Sequence, residues 1–247
     1  MTRWTVFALV LVAAGPGLIT SGGAADSPLL AEFRAFWDQY HRDPARLDVL
    51  RERLRKAAGE DATLDNLIAF AHISFIWGDV RGRSREEKLA AYDEGREAAR
   101  RAVALAPQSV LAHIWFASNT GRWGQVNGVV RSLFLLPTVK AEMQKILELD
   151  PSFAPGYVLA GQLYLDVPGI AGGDLDRAEA MFRKGLTIDA HFTSLRIGLA
   201  RTLIKKGRIA EARRELQAVV DEKAPTNLAD WTVKDVPRAR QLLSDTR

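Results

Sequence analysis

The chain has 247 residues, with 34 Lys and Arg against 30 Asp and Glu for a formal net charge of +4, and it contains no cysteine. The missing cysteine excludes disulfides, thiol chemistry and a lipid-bearing N-terminal cysteine. Basic clusters such as residues 51–56 are interleaved with acids and apolar residues, which marks a solvated helix face and not the one-sided patch that nucleic acid binds.

Residues 1–25 have the pattern of a secretory signal: Arg3 supplies the positive start, residues 6–14 the apolar run, and Gly23-Ala24-Ala25 the small-residue site before Asp26. The apolar run is about half of the roughly 20 residues that span a bilayer, and Gly15-Pro16-Gly17 interrupts it. The expectation is cleavage, export to the periplasm without a lipid anchor, and no stable membrane span. Losing Arg3 takes the formal charge from +4 to +3. Residues 26–247 should then form one all-α domain.

Within that domain, residues 29–40 and 44–57 predict an irregular first helix pair, with Pro44 at a helix start. Residues 64–77 and 85–105 predict the next pair, joined by a loop over 78–84 that ends in an N-cap at Ser84. Downstream, Leu105-Ala106-Pro107, Leu149-Asp150-Pro151 and Ile188-Asp189-Ala190 each end a helical pattern. Their last residues, followed by Ala224, are spaced by 44, 39 and 34 residues. The base period of about 34 is that of the tetratricopeptide repeat (TPR), a pair of antiparallel helices, with insertions in two units.

The unit after Pro151 carries the pattern best. Tyr157, Gly161 and Tyr164 share one face of its first helix, and Ala178, Phe182 and Gly185 share one face of its second. The next unit adds Leu199, Ala200 and Leu203, a turn at Gly207, and Ala212, Leu216 and Val219. Residues 237–245 should close the array as a last helix, so the whole reads as a right-handed α-solenoid.

Two segments depart from a plain repeat: residues 121–128, Gly-Arg-Trp-Gly-Gln-Val-Asn-Gly, and residues 167–175, Val-Pro-Gly-Ile-Ala-Gly-Gly-Asp-Leu. The first reads either as a lid, with Arg122 and Asn127 offering donors, or as a tight turn in which Trp123 plugs the core. Pro137 is expected to end the apolar stretch 129–136 that follows. The second reads as a Pro-Gly turn leading to an Asp174 N-cap.

With the Leu-Asp-Pro helix ends, these inserts resemble the bacterial TPR family of T components associated with TRAP transporters, and are distantly similar to eukaryotic regulators of microtubule dynamics. The resemblance covers roughly residues 64–247. It implies an extracytoplasmic helical protein that associates with a solute-binding partner and forms oligomers with a ligand-accessible pore. The lipid-bearing cysteine of that family's lipoprotein members is missing here, so membrane tethering is not carried over.

The inner face of such an array is lined by the first helix of each pair. Counting from the repeat starts places Ile68, His72, Phe75 and Ile76 there, then Leu111, Ile114, Ser118 and Arg122. Val158, Gln162 and Leu165 follow, and then Ile197, Arg201, Ile204 and Lys205. This list is too apolar to face water. Either the inserts fold back into the groove, or an apolar ligand or partner segment occupies it.

No catalytic, cofactor-binding or metal-ligating set emerges. His41, His72, His113 and His191 are dispersed, no pair stands at i, i+4, and no Gly-rich phosphate loop joins a strand to a helix. His72 and His113, on successive first helices, read as packed core histidines. The expected function is a non-enzymatic scaffold. It would hold a small apolar or amphipathic solute and dock to a solute-binding protein of TRAP-type uptake, or serve as a general protein-interaction module in envelope assembly.

Overall fold

Ser27 accepts a hydrogen bond from the Leu30 amide and, with Pro28 at the first position, starts helix α1 (Pro28–Phe36) of the computed structural model, which describes residues 27–246. The signal expected at residues 1–25 lies outside the described residues. A 3₁₀ turn, Tyr40–Arg42, leads to α2 (Arg46–Glu60). Pro44 sits in the turn ahead of that helix and not at its first position.

Four helix pairs follow. They are α3 (Leu64–Val80) with α4 (Arg85–Leu105), α5 (Val110–Asn127) with α6 (Val129–Leu149), α7 (Ala154–Asp166) with α8 (Leu175–Ile188), and α9 (Thr193–Lys205) with α10 (Ile209–Asp221). The chain closes with short α11 (Leu228–Asp230), a π-helical turn Trp231–Asp235, and α12 (Val236–Asp245). Among the described residues there is no strand, and no helix is long and apolar enough to cross a membrane. Each pair packs internally, and the first helices α3, α5, α7 and α9 pack against one another in succession, which is the solenoid expected from the repeat.

Local chemistry starts these helices where the sequence places caps. Ser84 and Glu87 form a capping box, satisfying two otherwise orphaned amides at the start of α4. Asp174 accepts from the Asp176 and Arg177 amides and starts α8. Gly207 turns the last pair at φ +74°. Gly78, expected in a loop, is the third residue from the end of α3, where a side chain would meet the Tyr92 ring at 2.4 Å.

The first insert is neither loop nor lid. Residues 121–127 are the last two turns of α5, and the break comes at Gly128, with φ +106°. Trp123 does not plug the core: it is half-buried between the Arg96 and Arg131 guanidiniums, 4.7 and 5.7 Å from its ring. Pro137 does not end a helix either, but lies inside the 21-residue α6. An internal proline costs about 3 kcal/mol. The buried Val139, Met143 and Ile146 that follow hold α6 against its neighbours and outweigh that cost.

Close packing surrounds Phe182 of α8, which is fully buried. Its ring enters a notch made by two glycines on first helices: a Cβ on Gly161 would stand 2.5 Å from it, and one on Gly198 2.2 Å. Residues near the two ends of the described chain also meet. The Ala229 amide donates to the Asp38 carbonyl at 2.9 Å, and the Tyr40 hydroxyl donates to the Asp230 carboxylate.

Candidate ligand cleft

Of the inner-face positions read from the repeat, Ile68, His72, Phe75, Ile114, Ser118, Val158 and Gln162 are buried. Leu111, Arg122 and Arg201 are half-buried, and Lys205 is exposed. Residues near both described ends of the chain pack on this face, together with Arg122 of the first insert, 5.9 Å from the Phe75 ring. From α1, Phe33 meets the His72 ring edge-on at 5.3 Å and Trp37 lies at 5.4 Å, while Trp115 stacks on the other face at 3.8 Å. Burial, with the Lys234 charge nearby, lowers the His72 pKa to about 3, so this imidazole is a neutral packing group. His113 faces elsewhere, with Nδ1 2.5 Å from Glu142 and Nε2 3.0 Å from the Pro107 carbonyl.

The C-terminal turn brings a charged network to the same face. The Asp79 carboxylate accepts from Tyr92 at 2.7 Å, lies 2.9 Å from Arg122 and 3.4 Å from Lys234, and Lys234 reaches Asp230 at 2.9 Å. Burial would raise the Asp79 carboxyl, but Arg122 and Lys234 hold it below its ordinary value. Arg122 is therefore an internal counter-ion and not a donor offered to a ligand. Arg201 is likewise committed, to Asp166 at 2.7 Å, and the Lys205 amine donates to the Leu165 carbonyl at 2.7 Å.

Asp235 differs from its neighbours. Burial pushes its pKa up from 3.8 to about 7, the Asp230 charge adds to that, and the Thr193 and Ser194 hydroxyls and Lys234 oppose it. The fold therefore binds a proton that the unfolded chain has released between about pH 4 and pH 7, so the stability that Asp235 contributes falls as pH rises through that window. Carboxylates with lowered values, such as Glu179 at about 2, act below it, and His72, lowered to about 3, makes stability rise with pH through the lower part of the same window in parent and variant alike. The urea-unfolding free energy of the parent minus that of Asp235→Asn should therefore fall between pH 4.5 and 8 by on the order of a few kcal/mol. A variant that keeps the parent slope would refute the assignment.

An open cavity lies elsewhere. Helix α6 has 21 residues against 13 in α7, lengths of about 30 and 20 Å, so the first turns of α6 overhang the end of α7. Between this overhang, the end of α5 and the turn after α7 lies a cleft of about 290 Å³. Leu133, Leu135, Leu136 and Val139 of α6 form one wall, and Leu159, Leu163, Val167 and Pro168 the other. Val130 and Phe134, next to the lining residues of α6, are 84% and 73% exposed, and Ile170, just beyond Pro168, is fully exposed.

The polar groups of the cleft are Thr120, Gln125, Ser132, Gln162 and Asp166. Only Gln162 belongs to the set read from the repeat. The other lining residues lie outside the counted positions, on the end of α5, the overhanging turns of α6, and α7 with the turn after it. For the overhang the sequence signal is the apolar stretch 129–136, too hydrophobic for a helix start in water.

The family model described as regulator of microtubule dynamics protein 1-3 matches residues 29–171, and a tetratricopeptide repeat model matches residues 170–231. Regulator of microtubule dynamics protein 3 of Xenopus laevis is 25% identical over 142 residues, covering 54% of this chain and 31% of that protein. The Rattus norvegicus protein of the same name is 24% identical over 141 residues, covering 53% and 30%. The chain thus spans about a third of the length of these relatives. TTC0263, a thermophilic TPR protein of Thermus thermophilus, superposes with a TM-score of 0.63 at 18% identity, covering 85% of this chain and 96% of that one, which establishes the shared fold.

Proposed function

We propose, for a chain that belongs to the regulator of microtubule dynamics protein 1-3 family and is built as a TPR-type helical scaffold, a non-enzymatic function: it holds a small apolar or amphipathic solute in the cleft between α5, α6 and α7. The observation that carries this reading is an open, largely apolar cleft with exposed apolar residues beside it, on a molecule whose inner-face positions are mostly buried. The signal pattern of residues 1–25 supports export to the periplasm. There the protein would hand its solute to an extracytoplasmic solute-binding protein, as an accessory of TRAP-type uptake.

The neutral fluorophore N-phenyl-1-naphthylamine tests the cleft. It should bind the purified protein, and Leu136→Trp, which fills the wall of the cleft, should weaken binding at least about tenfold, a loss of ~1.4 kcal/mol. Circular dichroism should show the fold unchanged. No binding by the parent, or equal binding by a folded Leu136→Trp, would refute the reading.

Val130, Phe134 and Ile170 favour a second reading, in which the same rim docks a partner protein in an envelope assembly. Phe134→Asp should then abolish partner capture without altering solute binding.

A further inference from the structure

The floor of the cleft specifies more than an apolar occupant. Thr120, Gln162 and Asp166 are 1%, 1% and 8% exposed and line the cleft together with its leucines. Thr120 Oγ1, Gln162 Nε2 and Oε1, and Asp166 Oδ2 are all buried without a hydrogen-bond partner among the described residues. A buried polar atom left unpaired costs about 1–3 kcal/mol, so four of them on one cleft floor are the signature of a site whose partner comes with the ligand.

The chemistry of these atoms selects the head group. Asp166 Oδ2 and Gln162 Oε1 only accept, Gln162 Nε2 only donates, and the Thr120 hydroxyl does either. The partner must therefore bring at least one N–H or O–H together with an acceptor. A carboxylate brings no donor and sets its charge against that of Asp166. An ammonium meets the positive charges of Arg201, Lys205 and Arg122, which already act on Asp166. Arg201 Nη1 has no hydrogen-bond partner among the described residues, but Arg201 does not line the cleft, and its Nη2 is held by Asp166. A cavity of roughly 150 Å³ holds benzene, so about 290 Å³ holds a chain on the order of ten carbons.

We infer that the ligand is a neutral amphiphile with a medium-length hydrocarbon chain and a hydroxyl or primary-amide head seated on Thr120, Gln162 and Asp166. This assignment rests on the solute-holding reading above. Displacement of N-phenyl-1-naphthylamine by 1-decanol, sodium decanoate and decyltrimethylammonium separates the two.

Decanol should displace the fluorophore about tenfold more effectively than either ion, the value of one well-made hydrogen bond without an opposing charge. Gln162→Leu and, independently, Thr120→Val should erase most of that preference, read as the ratio of decanol to decanoate displacement within each variant. Asp166→Asn, which removes the negative charge beside Arg201, should improve displacement by decanoate. Absence of fluorophore binding would overturn the cleft itself. Fluorophore binding with equal displacement by all three compounds, or an undiminished decanol preference in both floor variants, would overturn only the head-group assignment.

Discussion

Replacing Asp79 by alanine should lower the folding free energy by about 3–5 kcal/mol, the range for breaking a buried ion pair. Asp79 is the common partner of Tyr92 from α4, Arg122 from α5 and Lys234 from the C-terminal turn. Without its carboxylate, Arg122 loses its counter-ion within a buried site, and Lys234 keeps only Asp230. The cost is that of stranded charge and not of a lost surface bridge, which would be worth at most about 1 kcal/mol.

The same site supplies an internal control. In Lys234→Met, Asp79 keeps Arg122 and Asp230 keeps Tyr40, so the loss should be smaller than for Asp79→Ala. Urea unfolding followed by circular dichroism measures both variants, and the melting temperature of Asp79→Ala should drop by roughly 10 °C for a chain of this size. A loss below about 1 kcal/mol would show that the network is hydrated and not an internal tie between the chain's ends.

The second large effect concerns Phe182. Phe182→Ala should cost about 3–5 kcal/mol, since it empties a fully enclosed site between α7 and α9. The glycines that admit the ring make a sharper test. In a helix interior Gly198→Ala should be favourable by up to about 1 kcal/mol on propensity alone. Here the added methyl would stand 2.2 Å from the Phe182 ring, and overpacking costs about 1–3 kcal/mol, so the net change should be destabilising. In a Phe182→Leu background the clash is relieved, and the same substitution should turn neutral or stabilising. Additive effects in this double-mutant cycle would mean that the ring does not occupy the notch.

Much of the fold was legible in short-range patterns. The repeat near Pro107, Pro151 and Ala190 located the helix pairs, Ser84 and Asp174 marked helix starts, Gly207 marked a turn, and Gly161 with Phe182 marked the close-packed seam. The readings that failed were those in which packing overrides local preference. Pro137 and residues 121–127 carry turn-like chemistry, yet both are helical because α5 and α6 pack along their length.

The candidate site was legible only in part. Counting from repeat starts reaches Gln162, which lines the cleft, and most of the apolar inner-face positions are buried. What the pattern could not name were the residues packed on them, because Lys234 and Asp79 are 155 positions apart and no periodicity links them. Nor could it locate the cleft, which exists because α6 outreaches α7 and leaves the polar ends of Thr120, Gln162 and Asp166 in its lining together with leucines. Helix identity, caps and repeat period follow from interactions within a few residues, and the amino-acid order determines them directly. Which face is covered and which stays open depends on the relative lengths and return paths of distant helices, and only their packing in three dimensions decides that.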